Sequence, residues 1–147
     1  MPVILNPAPV APYGPRAWEL ADVVIVNEVE AAAFAPAGPG AEPSQWAASL
    51  LRHRTRTAIV TLGPLGCVVA ERGSPPFALP PLDVVAIDSV GAGDAFCGAL
   101  AVRLAEGADV RSAATFASAA GALATTKPGA APSLPERAAI EALIRAR

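Results

Sequence analysis

The sequence predicts an α/β fold built on a mostly parallel sheet. Two observations carry that expectation. The runs "DVVIVN" at 22–27 and "TAIVTLG" at 57–63 are rich in β-branched residues and do not alternate with polar ones, as in strands covered on both faces. Helical segments alternate with such runs through the first half of the chain, the order that builds parallel sheets.

The elements follow in order. "VIL" at 3–5 reads as a short strand ending at "NPAP", and a short helix is expected around Arg16 to Leu20. The strand 22–27 leads into a helix over 28–34, "EVEAAAF". The Pro- and Gly-rich stretch 35–43 is a loop, followed by a helix from Ser44 to about Arg54 with Trp46, Leu50 and Leu51 on one face. The strand 57–63 is joined through "PLG" to "CVVAER" at 67–72, the pattern of an antiparallel hairpin. "SPPFALPP" reads as an extended connector and "DVVAID" at 83–88 as the last strand. Helices are expected at about 93–106, 110–125 and 135–146, the last with a capping box from Ser133 to Glu136 and Pro135 in its first turn. The first residues already form an interior-type strand, so the chain reads as one domain that starts in the middle of a larger one, with an exposed sheet edge.

Composition narrows the function classes. Hydrophobic residues make up 53 % and charged residues 16 %, yet no segment has the unbroken apolar length of a membrane span. The start, "MPVILNPAPVAP", has no basic flank and is unlike a signal peptide. The net charge is −2 and the arginines are scattered, which argues against a nucleic-acid surface. Cys67 and Cys97 lack metal-type spacing and read as thiols of a cytoplasmic protein. His53, in "RHRTR", reads as a solvated side chain.

The stretch "DSVGAGDAFCGAL" at 88–100 carries the chemistry. With a helix beginning near Gly93, the amides of residues 91–94 are helix-start donors at the positive end of the helix dipole, and small residues let a ligand approach the backbone. Such a nest suits an anion, including a phosphoryl group in transfer. Asp94 then stands beside it, able to accept a proton from an attacking hydroxyl. Asp88, at the strand end, binds a cation or holds the turn. A second reading stays open on these residues alone: Gly-Ala-Gly allows close packing of helix and strand, and Asp94 compensates the dipole.

The same stretch resembles the C-terminal signature of the ribokinase-like (PfkB-type) sugar kinases. Further motifs follow in that family's order: "NPAP" at 6–9, "NEVE" at 27–30, "TLGPLG" at 61–66 and "KPGAAPSLP" at 127–135. The resemblance implies a three-layer ribokinase-like fold whose N-terminal half and lid are missing here. It implies an ATP-dependent carbohydrate kinase, truncated or split. The alternative is a non-catalytic remnant that binds nucleotide or a partner. By position, Asp94 aligns with the family's catalytic base, and Gly91, Ala92 and Gly93 align with its anion hole. Asn27 and Glu30 align with the pair that organises the phosphate and Mg2+ region, although the two also suit a helix cap. Thr61 and Gly63, with Gly66 completing the motif, align with ATP contacts, although they also suit a hairpin turn. Asp88, Ser133 and the carbonyls of Val90, Ala124, Lys127 and Gly129 resemble a K+ site. The implied partners are a sugar or sugar-like substrate and either a separate N-terminal half or a second copy of the chain.

Overall fold

The computed structural model describes all 147 residues, which fold as two compact units, Met1–Pro80 and Pro81–Arg147.

The first unit is a five-stranded sheet with helices. Its strands are β1 (Ile4–Leu5), β2 (Val23–Asn27), β3 (Thr57–Thr61), β4 (Cys67–Glu71) and β5 (Phe77–Leu79), in that spatial order. β1, β2 and β3 are parallel, and β4 and then β5 are added antiparallel, so four of the five strands run the same way. Helices α1 (Pro15–Leu20), α2 (Glu28–Phe34) and α3 (Pro43–Ser49) lie on the connections. Period-two alternation sends Val24, Val26, Ala58, Val60, Val68 and Ala70 into one core, which also holds Ala31, Trp46 and Leu50 from the helices and their ends. The alternate residues Val23, Ile25, Ile59 and Val69 are buried as well, which is why these strands show no polar face in the sequence. Asp22 ties the edge together: it accepts from the Val3 amide at 2.8 Å and from Arg54 Nε at 2.8 Å, and these bonds hold its carboxyl below the usual range.

The second unit contains α4 (Ala92–Ala105), α5 (Val110–Ala124) and α6 (Arg137–Arg145). Asp109 caps α5, accepting from the Ser112 amide at 2.9 Å. Phe116, Ala119, Ala120 and Ile140 form a small core between α5 and α6. Gly121 lets the start of α4 approach α5, since a Cβ there would lie 3.2 Å from the Ala92 carbonyl oxygen. No helix is long and apolar enough to cross a membrane.

Four expectations are corrected. Residues 83–88 form no strand: the amides of Ile87 and Asp88 donate to the Thr125 carbonyl at the end of α5, and Val85 and Ile87 are exposed. The connector instead supplies β5, because Phe77–Leu79 finds the free edge of β4 and buries Leu79. α3 stops at Ser49 rather than near Arg54, and Arg72 takes the carbonyls of His53 and Thr55 at 2.9 Å each. A continued helix would have used those carbonyls itself. The Ser133–Glu136 capping box is absent: Ser133 is buried and donates to the Ala130 carbonyl at 2.7 Å, and Glu136 precedes α6 without a side-chain cap.

Candidate functional site

In the first unit, the predicted residues gather at the carboxyl ends of adjacent parallel strands, where α/β sheets bind ligands. Asn27 and Thr61 are register partners at the ends of β2 and β3. Asn27 and Glu30 form a reciprocal capping box: the Glu30 amide donates to Asn27 Oδ1 and the Asn27 amide donates to Glu30 Oε2, each at 2.9 Å. Glu30 is only 5 % exposed, so the box presents a buried carboxylate at the strand end and leaves Oε1 without a partner in the chain. The capping role weighed from the sequence is thus real. Asn27→Ala should lower stability by about 1 kcal/mol, the usual cost of losing such a cap. An unchanged melting temperature would contradict this.

Thr61 makes only a long 3.4 Å bond to the Val26 carbonyl, leaving its hydroxyl largely uncommitted. The following turn needs its glycines. Gly63 has φ +54° and opens a short 3-10 turn, and Gly66 closes it at φ +90°, ψ −138°, a conformation suited to glycine.

In the second unit, α4 begins one residue earlier than expected. Gly91 is its N-cap in the left-handed region at φ +81°, and Asp94 lies in the first turn, exposed. A Cβ at Gly91 would lie 2.9 Å from Ala130 Cα, so the glycine is required both by φ and by close approach. Gly93, in contrast, has nothing within 4 Å of such a Cβ. The donors are fewer than the sequence implied: the Ala92 amide reaches the Ser89 carbonyl at 3.2 Å, whereas the amides of Gly93 and Asp94 have no partner in the chain. The open donors therefore sit beside the Asp94 carboxylate.

Asp88 holds two loops together. Its oxygens accept from the Gly129 amide at 2.9 Å and the Val90 amide at 3.0 Å. These two bonds, Gly129 first, hold its carboxyl below the ordinary aspartate value. Because the shift is downward, the contribution to stability is complete at neutral pH and is lost as the pH falls below about 4. In an acid titration followed by NMR, the Gly129 and Val90 amide resonances should move together with a midpoint under about 3.9. A midpoint at or above that value would refute the clamp.

The residues expected around a K+ ion are placed near this clamp in sequence and partly in space. Asp88 binds Gly129, and Gly91 packs on Ala130. Ala124 ends α5, and Pro128, four residues on, has no N–H to offer its carbonyl. The Thr125 and Thr126 hydroxyls satisfy Ala122 and Leu123 instead. An unsatisfied carbonyl at the negative end of a helix suits a cation. Lys127 is exposed, so only its carbonyl is a candidate donor. No group of three or more His, Cys, Asp or Glu side chains gathers anywhere. Cys67 is buried and Cys97 half-buried, both as free thiols.

Two features escaped sequence reasoning. The Asp22 tie to Val3 and Arg54 spans up to 32 residues, and no local pattern signals it. The grouping of Arg103, Glu106 and Arg137 also comes only from helix packing.

A family model described as pfkB family carbohydrate kinase matches residues 1–137. The chain is 37 % identical over 134 residues to fructokinase-1 of Zea mays, covering 86 % of this chain and 41 % of that protein. It is 34 % identical over 144 residues to a ribokinase of Bacillus subtilis, covering 98 % and 46 %. The chain thus spans less than half the length of these relatives. Among solved structures, it is similar to ribokinase from Thermotoga maritima, with a TM-score of 0.89 and 32 % identity over 97 % of this chain and 48 % of that one. It is also similar to Arabidopsis thaliana ribokinase complexed with ribose and ATP, with a TM-score of 0.87 and 27 % identity over 98 % and 47 %. A third likeness is to phosphofructokinase-2 from Escherichia coli in complex with potassium, with a TM-score of 0.75 and 25 % identity over 86 % and 41 %.

Proposed function

Because the chain belongs to the pfkB family of carbohydrate kinases, we propose that it supplies the nucleotide-handling and phosphoryl-transfer portion of an ATP-dependent sugar kinase. The observation that supports this most is the start of α4, where two unpartnered amides stand beside an exposed carboxylate, held there by a glycine that packs on Ala130. Phosphoryl transfer asks the protein mainly for positioning and for stabilisation of charge on the moving group. In this reading the Gly93 and Asp94 amides bind phosphoryl oxygens, and Gly91 and Ala92 shape the turn that presents them. Asp94 accepts the proton of the attacking sugar hydroxyl as its oxygen bonds to phosphorus.

Asn27 and Glu30 take the nucleotide phosphate and Mg2+ region, with the unpartnered Glu30 Oε1 meeting hydrated magnesium. Mg2+ sites commonly use one or two carboxylates together with substrate phosphates, so the lack of an acidic cluster fits. Thr61, Gly63 and Gly66 offer a hydroxyl and an open turn to the nucleotide. Asp88, Val90, Ala124, Lys127, Gly129 and Ser133 form the surround of a K+ ion. Bound there, the cation would strengthen the positive potential at the helix start. Two free thiols accord with a reducing cytoplasm. The sugar-binding contribution is assigned to another part of the kinase fold, on the same chain or a separate one.

Calorimetry on the 147 residues tests the reading. ADP with Mg2+ should bind, and more tightly when K+ replaces Na+ at constant ionic strength. Asp88→Ala should erase the difference between the salts. Equal affinity in both salts would remove the cation site, and no ADP binding at all would sink the nucleotide assignment.

A further inference from the structure

Within the second unit, apart from Asp94 and the Asp88 clamp, lies an open cleft of about 470 Å3 lined by residues of α4, α5 and α6. That volume is in the range of small-molecule sites. Its charge is opposite to that of the chain as a whole, which is −2. Arg103, Arg111 and Arg145 line it, against the single carboxylate of Glu141.

Arg103 is held in place. Its Nη1 donates to Glu106 at 2.7 Å, and its guanidinium lies 5.4 Å from the centroid of the buried Phe116 ring, another lining residue. Arg137 lies at 5.4 Å from the same ring and bonds the other Glu106 oxygen. Arg137 first, then Arg103, keep the Glu106 carboxyl below its ordinary value, so the clamp is charged at neutral pH. Yet Arg103 Nε is buried and has no hydrogen-bond partner. A buried donor without an acceptor is costly, and native structures usually supply one. The Nε side of a guanidinium is one of the edges that meet a phosphate or carboxylate through two parallel bonds.

We propose that this cleft binds a small phosphate monoester of a polyol. The Nε edge of Arg103 takes the phosphate, Arg111 and Arg145 balance its second charge, and Glu141 accepts a hydrogen bond from a ligand hydroxyl. This assignment does not depend on phosphoryl transfer by Asp94, and its test uses neither nucleotide nor magnesium.

The test follows amide resonances of the 147 residues on titration with fructose 6-phosphate, with fructose, and with sodium sulfate at matched ionic strength. Fructose 6-phosphate should bind saturably and shift residues of α4, α5 and α6 around the cleft, whereas fructose and sulfate should not. Arg103→Lys keeps the charge but loses the planar fork, and should weaken binding about tenfold or more. Should that variant melt early, Arg145→Gln, on the exposed side of the cleft, should still weaken binding severalfold. Glu141→Gln should also weaken it. Shifts confined to residues 91–94 would overturn the proposal. So would equal effects of sulfate, or affinities unchanged in Arg103→Lys and Arg145→Gln.

Discussion

Asp94→Asn is expected to lower turnover by roughly 10²–10⁴ while leaving ADP affinity nearly unchanged. The measurement needs the remainder of the kinase fold, for instance a fusion to the part of the Thermotoga maritima ribokinase that this chain does not cover. Asp94 is exposed in the first turn of α4 and accepts no hydrogen bond that holds the fold, so asparagine leaves the local structure in place. What the substitution removes is a proton acceptor beside the free amides of Gly93 and Asp94. Its effect should therefore fall on kcat rather than on nucleotide binding. A variant with near-normal turnover would defeat the assignment of Asp94 as base. Sugar-independent ADP binding with no turnover in the unmutated fusion would instead favour a non-catalytic nucleotide-binding module.

The second large effect separates two glycines that are neighbours in sequence. Gly91→Ala places a Cβ 2.9 Å from Ala130 Cα and forces an L residue into φ +81°. Left-handed strain alone costs about 1–2 kcal/mol, and displacing backbone at Ala130 adds to it. For a domain of this size, each kcal/mol lowers the melting temperature by about 2–8 °C. Gly93→Leu meets no atom within 4 Å and replaces a glycine inside a helix, so its melting temperature should hold or rise. If the helix start receives phosphate, Gly93→Leu should nonetheless lose ADP affinity, because its side chain stands where the ligand approaches. Calorimetry beside thermal melts distinguishes the cases. Loss of stability without independent loss of binding at Gly93 would reduce Gly-Ala-Gly to a packing device.

The local code of the chain determined a good deal of this protein. The β-branched runs of β2 and β3, the "PLG" turn into β4 and the start of α2 directly after Asn27 are each settled by neighbours in sequence. The same holds for the small residues before Asp94 and the order of motifs shared with the family. Only the tertiary structure decided the rest, because the deciding partner lies far along the chain. "DVVAID" has strand propensity, but the Thr125 carbonyl takes two of its amides. Phe77–Leu79 looks like a connector until β4 offers an open edge. α3 ends early where Arg72 binds carbonyls 17 and 19 residues away in sequence. Gly91 is legible as a flexible residue, but its need for glycine comes from Ala130, brought there by the bond between Asp88 and Gly129. Hydrophobic period and turn chemistry are short-range properties, so sequence displays them. Satisfying each buried donor and acceptor is a property of the whole fold, and only the folded chain reveals which distant group does it.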